Sequence, residues 1–184
     1  MPAGLEVFND GNHYVIDSTY KNFHLVETRW VTARNEWPPS DPPTFSYTGS
    51  SPMIAIGNTQ GEPVSLWKVG KSGNTYDFYL YTPPTTNNDT QVRVHIFDVA
   101  KPSQSSSGLQ IYDTNGELVF DSDSDYMRPV EFWEFKDNRT IEKNFSVNCA
   151  VVFGNCSRLV EPETGLSSYI YVPAVTVDDS GYVK

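Results

Sequence analysis

Apolar and polar residues alternate along this chain in short runs: LEVFN (5–9), HYVID (13–17), VSLWKV (64–69), YDFYLY (76–81), VRVHIFDV (92–99), LQIYD (109–113), ELVFD (117–121), FSVNCAVVF (145–153) and YIYVPAVTV (169–177). A period of two puts successive side chains on opposite faces of a pleated strand, so runs of this kind predict antiparallel sheet. Between them lie clusters such as Asn9-Asp10-Gly11-Asn12, Lys71-Ser72-Gly73-Asn74 and Thr114-Asn115-Gly116. Gly and Asn take positive φ at low cost, which marks these clusters as hairpin turns. Helical periodicity with caps is absent; Phe132 to Lys143 comes nearest, and its aromatics read better as strand and loop.

Three segments read as connections. Asn35 to Thr44 (NEWPPSDPPT) holds four prolines, which donate no ladder hydrogen bond and are excluded from a sheet interior. Thr82 to Thr90 is a polar loop, and Lys101 to Ser107 (KPSQSSS) reads as a flexible linker. That linker precedes an internal repeat. With an offset of 104 and no gap, residues 4–27 (GLEVFNDGNHYVIDSTYKNFHLVE) lie over residues 108–131 (GLQIYDTNGELVFDSDSDYMRPVE). Seven positions are identical: Gly4/Gly108, Leu5/Leu109, Val15/Val119, Asp17/Asp121, Ser18/Ser122, Val26/Val130 and Glu27/Glu131. Each copy runs out through alternating apolar residues, reverses at an Asn/Asp/Gly turn and returns to Asp-Ser before a third strand. A lone hairpin is marginal in water, so each copy needs further strands. Residues 28–100 are expected to complete the first sheet and 132–184 the second. The expected fold is all-β: two β-sandwich-like modules, 1–100 and 108–184, each opening with the repeated hairpin and joined by the 101–107 linker.

Composition supports this and narrows the function. Aromatic residues make up 14% of the 184, the vocabulary of strands, and 38% hydrophobic content is enough for a core. A net charge of −10, with 13 scattered Lys and Arg, argues against a nucleic-acid partner, because phosphate binding needs clustered cations. The chain has no apolar run of the roughly 18 residues a membrane-spanning helix needs. The start, MPAGLEVFND, lacks the basic and apolar regions of a secretion signal, so synthesis in a cytoplasm without membrane insertion is expected. Cys149 and Cys156 could face each other across a hairpin turning near Gly154, or stay as two reduced thiols as a cytosolic origin favours.

The opening GLEVFNDGNHYVID, followed after a central β region by GLQIYDTNGELVFDS, resembles the small minor tail or tail-tip proteins of siphophages. The first motif is similar to their usual start and the second to its mid-chain repetition; the resemblance covers about the first 130 residues. It implies a structural, non-enzymatic virion protein of the tail tip or baseplate, acting in assembly and host attachment. Its implied partners are other tail proteins and copies of itself, by analogy a trimer, with a host surface receptor beyond. It implies no cofactor and no catalytic residues.

Other chemistry finds little support in the sequence. Asp121, Asp123 and Asp125 are spaced like the first ligands of a calcium loop, but Tyr126 and Phe132 stand where glycine and a bidentate glutamate are required. They read as a solvated acidic turn. Asp178 and Asp179 read likewise. His13, His24 and His95 fall on separate strands, no GxSxG offers a nucleophile, and no metal or catalytic set is assigned. The Asn-x-Ser/Thr triplets at Asn88, Asn138, Asn144 and Asn155 read as incidental. Trp30, Trp37, Tyr47, Trp67, Tyr79, Tyr81 and Trp133 exceed what one small core absorbs, although most are expected in it. Trp37, in the proline loop, and Tyr47 are the candidate partner contacts. The alternative functions are a receptor- or carbohydrate-binding module meeting a glycan through the Pro/Trp loop, and a capsid decoration protein.

Overall fold

A computed structural model describes residues 6–8, 14–17, 22–35, 42–82, 89–99, 102, 105–133, 142–145, 148–154, 158–160, 169–171 and 174–184. Every regular element among them is a strand: β1 (Glu6–Phe8), β2 (Tyr14–Asp17), β3 (His24–Ala33), β4 (Phe45–Thr48), β5 (Met53–Ile56), β6 (Ser65–Ser72), β7 (Thr75–Tyr81), β8 (Thr90–Asp98), β9 (Gln110–Tyr112), β10 (Leu118–Asp121), β11 (Lys143–Asn144), β12 (Arg158–Val160), β13 (Tyr169–Tyr171) and β14 (Tyr182–Val183). No helix among the described residues is long and apolar enough to cross a membrane.

The centre is a sandwich of two antiparallel three-stranded sheets, ordered β3-β8-β5 and β4-β7-β6. Their inward positions interleave in one cluster. Val31, Ala33, Ile54, Ile56, Val92, Val94 and Ile96 come from the first sheet, and Phe45, Leu66, Phe78 and Leu80 from the second. The β8 run VRVHIF buries Val92, Val94 and Ile96 completely and turns Arg93, His95 and Phe97 outward, as period two requires. Fully burying each such side chain contributes about 1.5–3 kcal/mol. The β6/β7 hairpin reverses at Gly73-Asn74, with Gly73 at φ +60°.

The C-terminal residues complete this sandwich. Val151 exchanges backbone hydrogen bonds with Ile56 at the free edge of β5, and Val175 does so with Val64 just before β6. Val175, Val177 and Val183 are buried members of the same cluster. The turn joining them is closed by the Asp178 carboxylate, which accepts from Ser180 N–H (2.8 Å), Ser180 Oγ (2.6 Å) and Tyr182 N–H (3.1 Å). The expectation that residues 132–184 serve the second hairpin's sheet is corrected here for residues 149–151 and 174–184. The physical reason is edge satisfaction: the outer edge of β5 and the backbone of Val64, just before β6, present unpaired groups, and these segments pair with them.

The repeat is visible in strand register. In the first copy Glu6 faces Asp17, Val7 faces Ile16 and Phe8 faces Tyr14. In the second, Gln110 faces Asp121, Ile111 faces Phe120 and Tyr112 faces Leu118. Adding 104 to each number of the first set gives the second, including the bulge that skips Val15 or Val119. Sequence identity and pairing geometry thus report the same duplication.

The second hairpin is fastened to the sandwich. Leu25 N–H donates to the Asp125 carbonyl (2.7 Å) and Met127 N–H to the Phe23 carbonyl (2.9 Å), so residues 125–127 lie along the outer edge of β3. His24 sits at this junction, opposite Asp98 in register, with the Tyr126 ring edge-on at 6.2 Å. It is buried, its Nδ1 has no hydrogen-bond partner among the described residues, and desolvation lowers its pKa from the ordinary 6.5, against smaller raising effects from the Asn22 backbone and Asp98. The folded state therefore prefers neutral imidazole. Its contribution is complete above the unfolded value near 6.5 and is lost as pH falls towards the folded value, because the unfolded chain then binds the proton more readily. His95 is lowered in the same direction by burial and Arg93, so a His24→Gln variant is needed to isolate the effect. The expected result is a denaturant midpoint that falls less between pH 7 and pH 5 in the variant than in the wild type; an unchanged slope would show that His24 does not titrate with folding.

Candidate functional site

The second hairpin begins at a polar cradle. The Asp121 carboxylate accepts from Ser105 N–H (2.8 Å), Ser105 Oγ (2.8 Å to the nearer oxygen), Asp123 N–H (2.9 Å) and Gln110 Nε2 (3.0 Å). The Ser105 and Asp123 amides, with the Ser105 and Gln110 side chains, hold its pKa down to about 2, outweighing the opposing desolvation. Its oxygens are taken by its own chain, and no group of three or more His, Cys, Asp or Glu side chains that could hold a metal occurs among the described residues. The acidic run is a structural turn that also pins the end of the 101–107 linker. At the far end, Asp113 Oδ1 accepts from Asn115 and Glu117 N–H (2.8 Å each), with Gly116 at φ +81°.

Beyond Tyr126 the two copies diverge. In the first copy the residues after the hairpin become β3, whose ladder with β8 runs from His24 to Ala33. The equivalent residues of the second copy, Arg128 to Trp133, have no ladder pairing among the described residues. Pro129 stands where the first copy has Leu25, and proline removes the N–H that a ladder would use. Val130 is 69% exposed and Phe132 87% exposed, while their counterparts under the 104 offset are Val26, packed against the core, and Thr28, a polar residue on the outer face of β3.

The segment is nevertheless held in place. Trp133 stacks on Phe145 with ring centroids 5.9 Å apart, and Glu131 is paired with Lys143 on β11. Hydrogen bonds from Lys143 and Trp133 lower the Glu131 pKa. Val130 and Phe132, two residues apart in the chain, are both exposed on a segment tied near both ends. Their exposure makes this pair the candidate contact strip of the second copy.

The residues singled out from sequence fall elsewhere. Tyr47 is half-buried on β4 and packs on the core cluster, where burial first and then the Asp98 charge raise its pKa; it works as a core-edge residue. Trp37, His13 and Cys156 lie outside the described residues. Cys149 is a free thiol whose Sγ lies 3.8 Å from the Gly181 carbonyl. Tyr79 and Tyr81 are buried, Trp67 and Trp133 half-buried, and Trp30 stands out on the surface. Sequence reading missed Val130 and Phe132, although the offset alignment held the signal: one step past its last identity, an outward Thr28 is replaced by Phe132. No protein-family model, curated protein or solved structure matches this chain.

Proposed function

We propose that the protein is a non-enzymatic structural component of a bacteriophage tail tip or baseplate, made in the host cytoplasm and assembled into the virion through protein–protein contacts that serve assembly and host attachment. The observation that carries this reading is the tethered, solvent-facing pair Val130 and Phe132 on the segment after the second hairpin, which has no ladder pairing among the described residues. A neighbouring tail protein, or another copy in a ring such as the trimer implied by the resemblance, would cover it. The duplicated hairpin, which carries the resemblance to siphophage minor tail proteins, supports the same reading through its shared register and bulge. The acidic side chains best placed for chemistry, Asp98, Asp121 and Asp178, are engaged by backbone donors of their own chain, which suits a scaffold.

Immunogold labelling of intact particles with antibody against the purified chain tests the location: label at the distal tail supports the proposal, while label on the head points to capsid decoration. The surface is tested by a Val130→Ser/Phe132→Ser variant. Both residues are exposed, so folding stability should change by no more than about 0.5 kcal/mol per site. Incorporation into particles, read by quantitative mass spectrometry of purified virions, should fall at least severalfold. Normal incorporation would remove this strip from the assembly interface.

A further inference from the structure

The outer face of the β3-β8-β5 sheet has a second, chemically different surface. Alternation points Thr28, Trp30 and Thr32 outward from β3 and Gln91, Arg93 and His95 outward from β8, and register sets them side by side as Thr28/His95, Trp30/Arg93 and Thr32/Gln91. Trp30 is 49% exposed, and the Arg93 guanidinium lies 5.9 Å from its ring centroid, which orients the indole. Arg93 is itself fixed: its Nη2 is 2.6 Å from Asp179 Oδ1, and Asp179 Oδ2 accepts from Asn58 Nδ2 at 2.8 Å. On either side of the indole the polar groups are also oriented, Gln91 Nε2 donating to Thr32 Oγ1 (2.6 Å) and Thr28 Oγ1 bonded to His95 Nδ1 (2.9 Å). Gly57 keeps the adjoining ground low, since a Cβ there would come within 2.9 Å of His95 Nε2 and 3.2 Å of the Arg93 carbonyl.

We propose that this face is a binding site for a neutral saccharide, with Trp30 as its stacking platform. The argument is one of charge and hydrogen-bond complementarity. The Arg93 charge is matched by Asp179 and the whole chain is at −10, so an anionic ligand finds no free cation among the described residues of this face and a repulsive background. A purely apolar partner would bury the Gln91, Asn58, Thr28 and Thr32 polar groups at a cost, with nothing offered in return. A pyranose offers an apolar C–H face to the indole and a rim of hydroxyls, each both donor and acceptor, to the planar amide, imidazole and carboxylate groups around it. Three strands span about 10 Å, the width of a short oligosaccharide. This site lies apart from the Val130/Phe132 strip, and the inference does not depend on the tail assignment.

The test is a titration of the full chain, followed by amide and indole NMR, with neutral oligosaccharides of glucose, galactose, mannose and N-acetylglucosamine. At least one should shift the Trp30 indole and Gln91 side-chain resonances. Trp30→Ala should weaken that binding about tenfold or more, the size of a lost ring contact, with Trp30→Phe restoring part of it. Gln91→Ala should weaken it by a smaller factor, while Val130→Ser/Phe132→Ser should leave it unchanged. Because Trp30 and Gln91 are surface residues, the variants' spectra will show the fold retained. If no saccharide in the panel moves these resonances, or Trp30→Ala binds as well as the wild type, the proposal is overturned; the immunogold result is unaffected either way.

Discussion

A chain ended after residue 173 is expected to lose the cooperative fold of the central sandwich, even though that sandwich's six strands all lie between residues 24 and 98. The shortened chain lacks Val175, Val177 and Val183, all buried in the central cluster. It also lacks the carbonyl of Val177 that Thr59 N–H reaches at 2.9 Å and the paired backbone of Val175 at Val64. Three buried valines at about 1.5–3 kcal/mol each come to roughly 4.5–9 kcal/mol, which is comparable to the whole stability of a typical domain. Urea denaturation followed by tryptophan fluorescence should show little or no folded baseline for residues 1–173. The milder Val177→Ala should lower stability by about 2–3 kcal/mol while keeping a single transition. An unchanged midpoint for the shortened chain would mean that the C-terminal segment docks on a core already complete.

Asp98 carries the second large effect. It ends β8, is fully buried, and accepts from three backbone donors: Ser50 N–H (2.9 Å), Ser51 N–H (2.8 Å) and Val99 N–H (2.7 Å). This one carboxylate organises the turn between β4 and β5. Gly49 is part of the same arrangement, because a Cβ there would overlap the Asp98 carboxylate and the Tyr47 ring. Asp98→Ala leaves these partly buried amides without their charged acceptor, and the expected loss is about 2–4 kcal/mol, set by the lost charge-assisted hydrogen bonds. Gly49→Ala should cost about 1–3 kcal/mol through overpacking. The double variant should fall short of the sum, since removing the carboxylate makes room for the methyl group. Additive losses would show that the two residues act separately.

Much of this architecture is legible in the residues. The runs VSLWKV, YDFYLY, VRVHIFDV, LQIYD and ELVFD correspond to β6, β7, β8, β9 and β10, and the turn at Gly73-Asn74 is where the Gly and Asn place it. The longest strand, β3, is absent from the alternating runs for an identifiable reason. A bulge between Leu25 and Glu27 shifts the phase, so no single period of two spans HLVETRWVTA. MIAI, now β5, is apolar without alternation because Ala55 is buried as well as Ile54 and Ile56. FSVNCAVVF fails in the other direction: it alternates, yet among its described residues only Val151 forms a β-bridge, with Phe145 N–H donating one bond to the Gly181 carbonyl.

The candidate sites were less legible. Tyr47 and Trp30 are both aromatic residues on strands, and nothing local distinguishes the one packed against the core from the one left open. The difference is set by which face the neighbouring sheet covers.

What the sequence determined by itself was local: strand vocabulary, hairpin turns, the duplicated motif and, through its turn and bulge, each copy's register. These depend on φ preferences and period-two patterning within some 20 residues, where the interacting groups are neighbours in the chain. Only the tertiary structure decided that residues 174–184 close the N-terminal sandwich, that Asn58 meets Asp179 across 121 positions, and that the segment after the second hairpin has no ladder pairing among the described residues. Backbone ladders are chemically alike from strand to strand, and the entropy of closing a loop grows only slowly with its length, so neither carries a local mark of which distant edges will meet. That choice is made by the collective fit of Val175, Val177 and Val183 into the core.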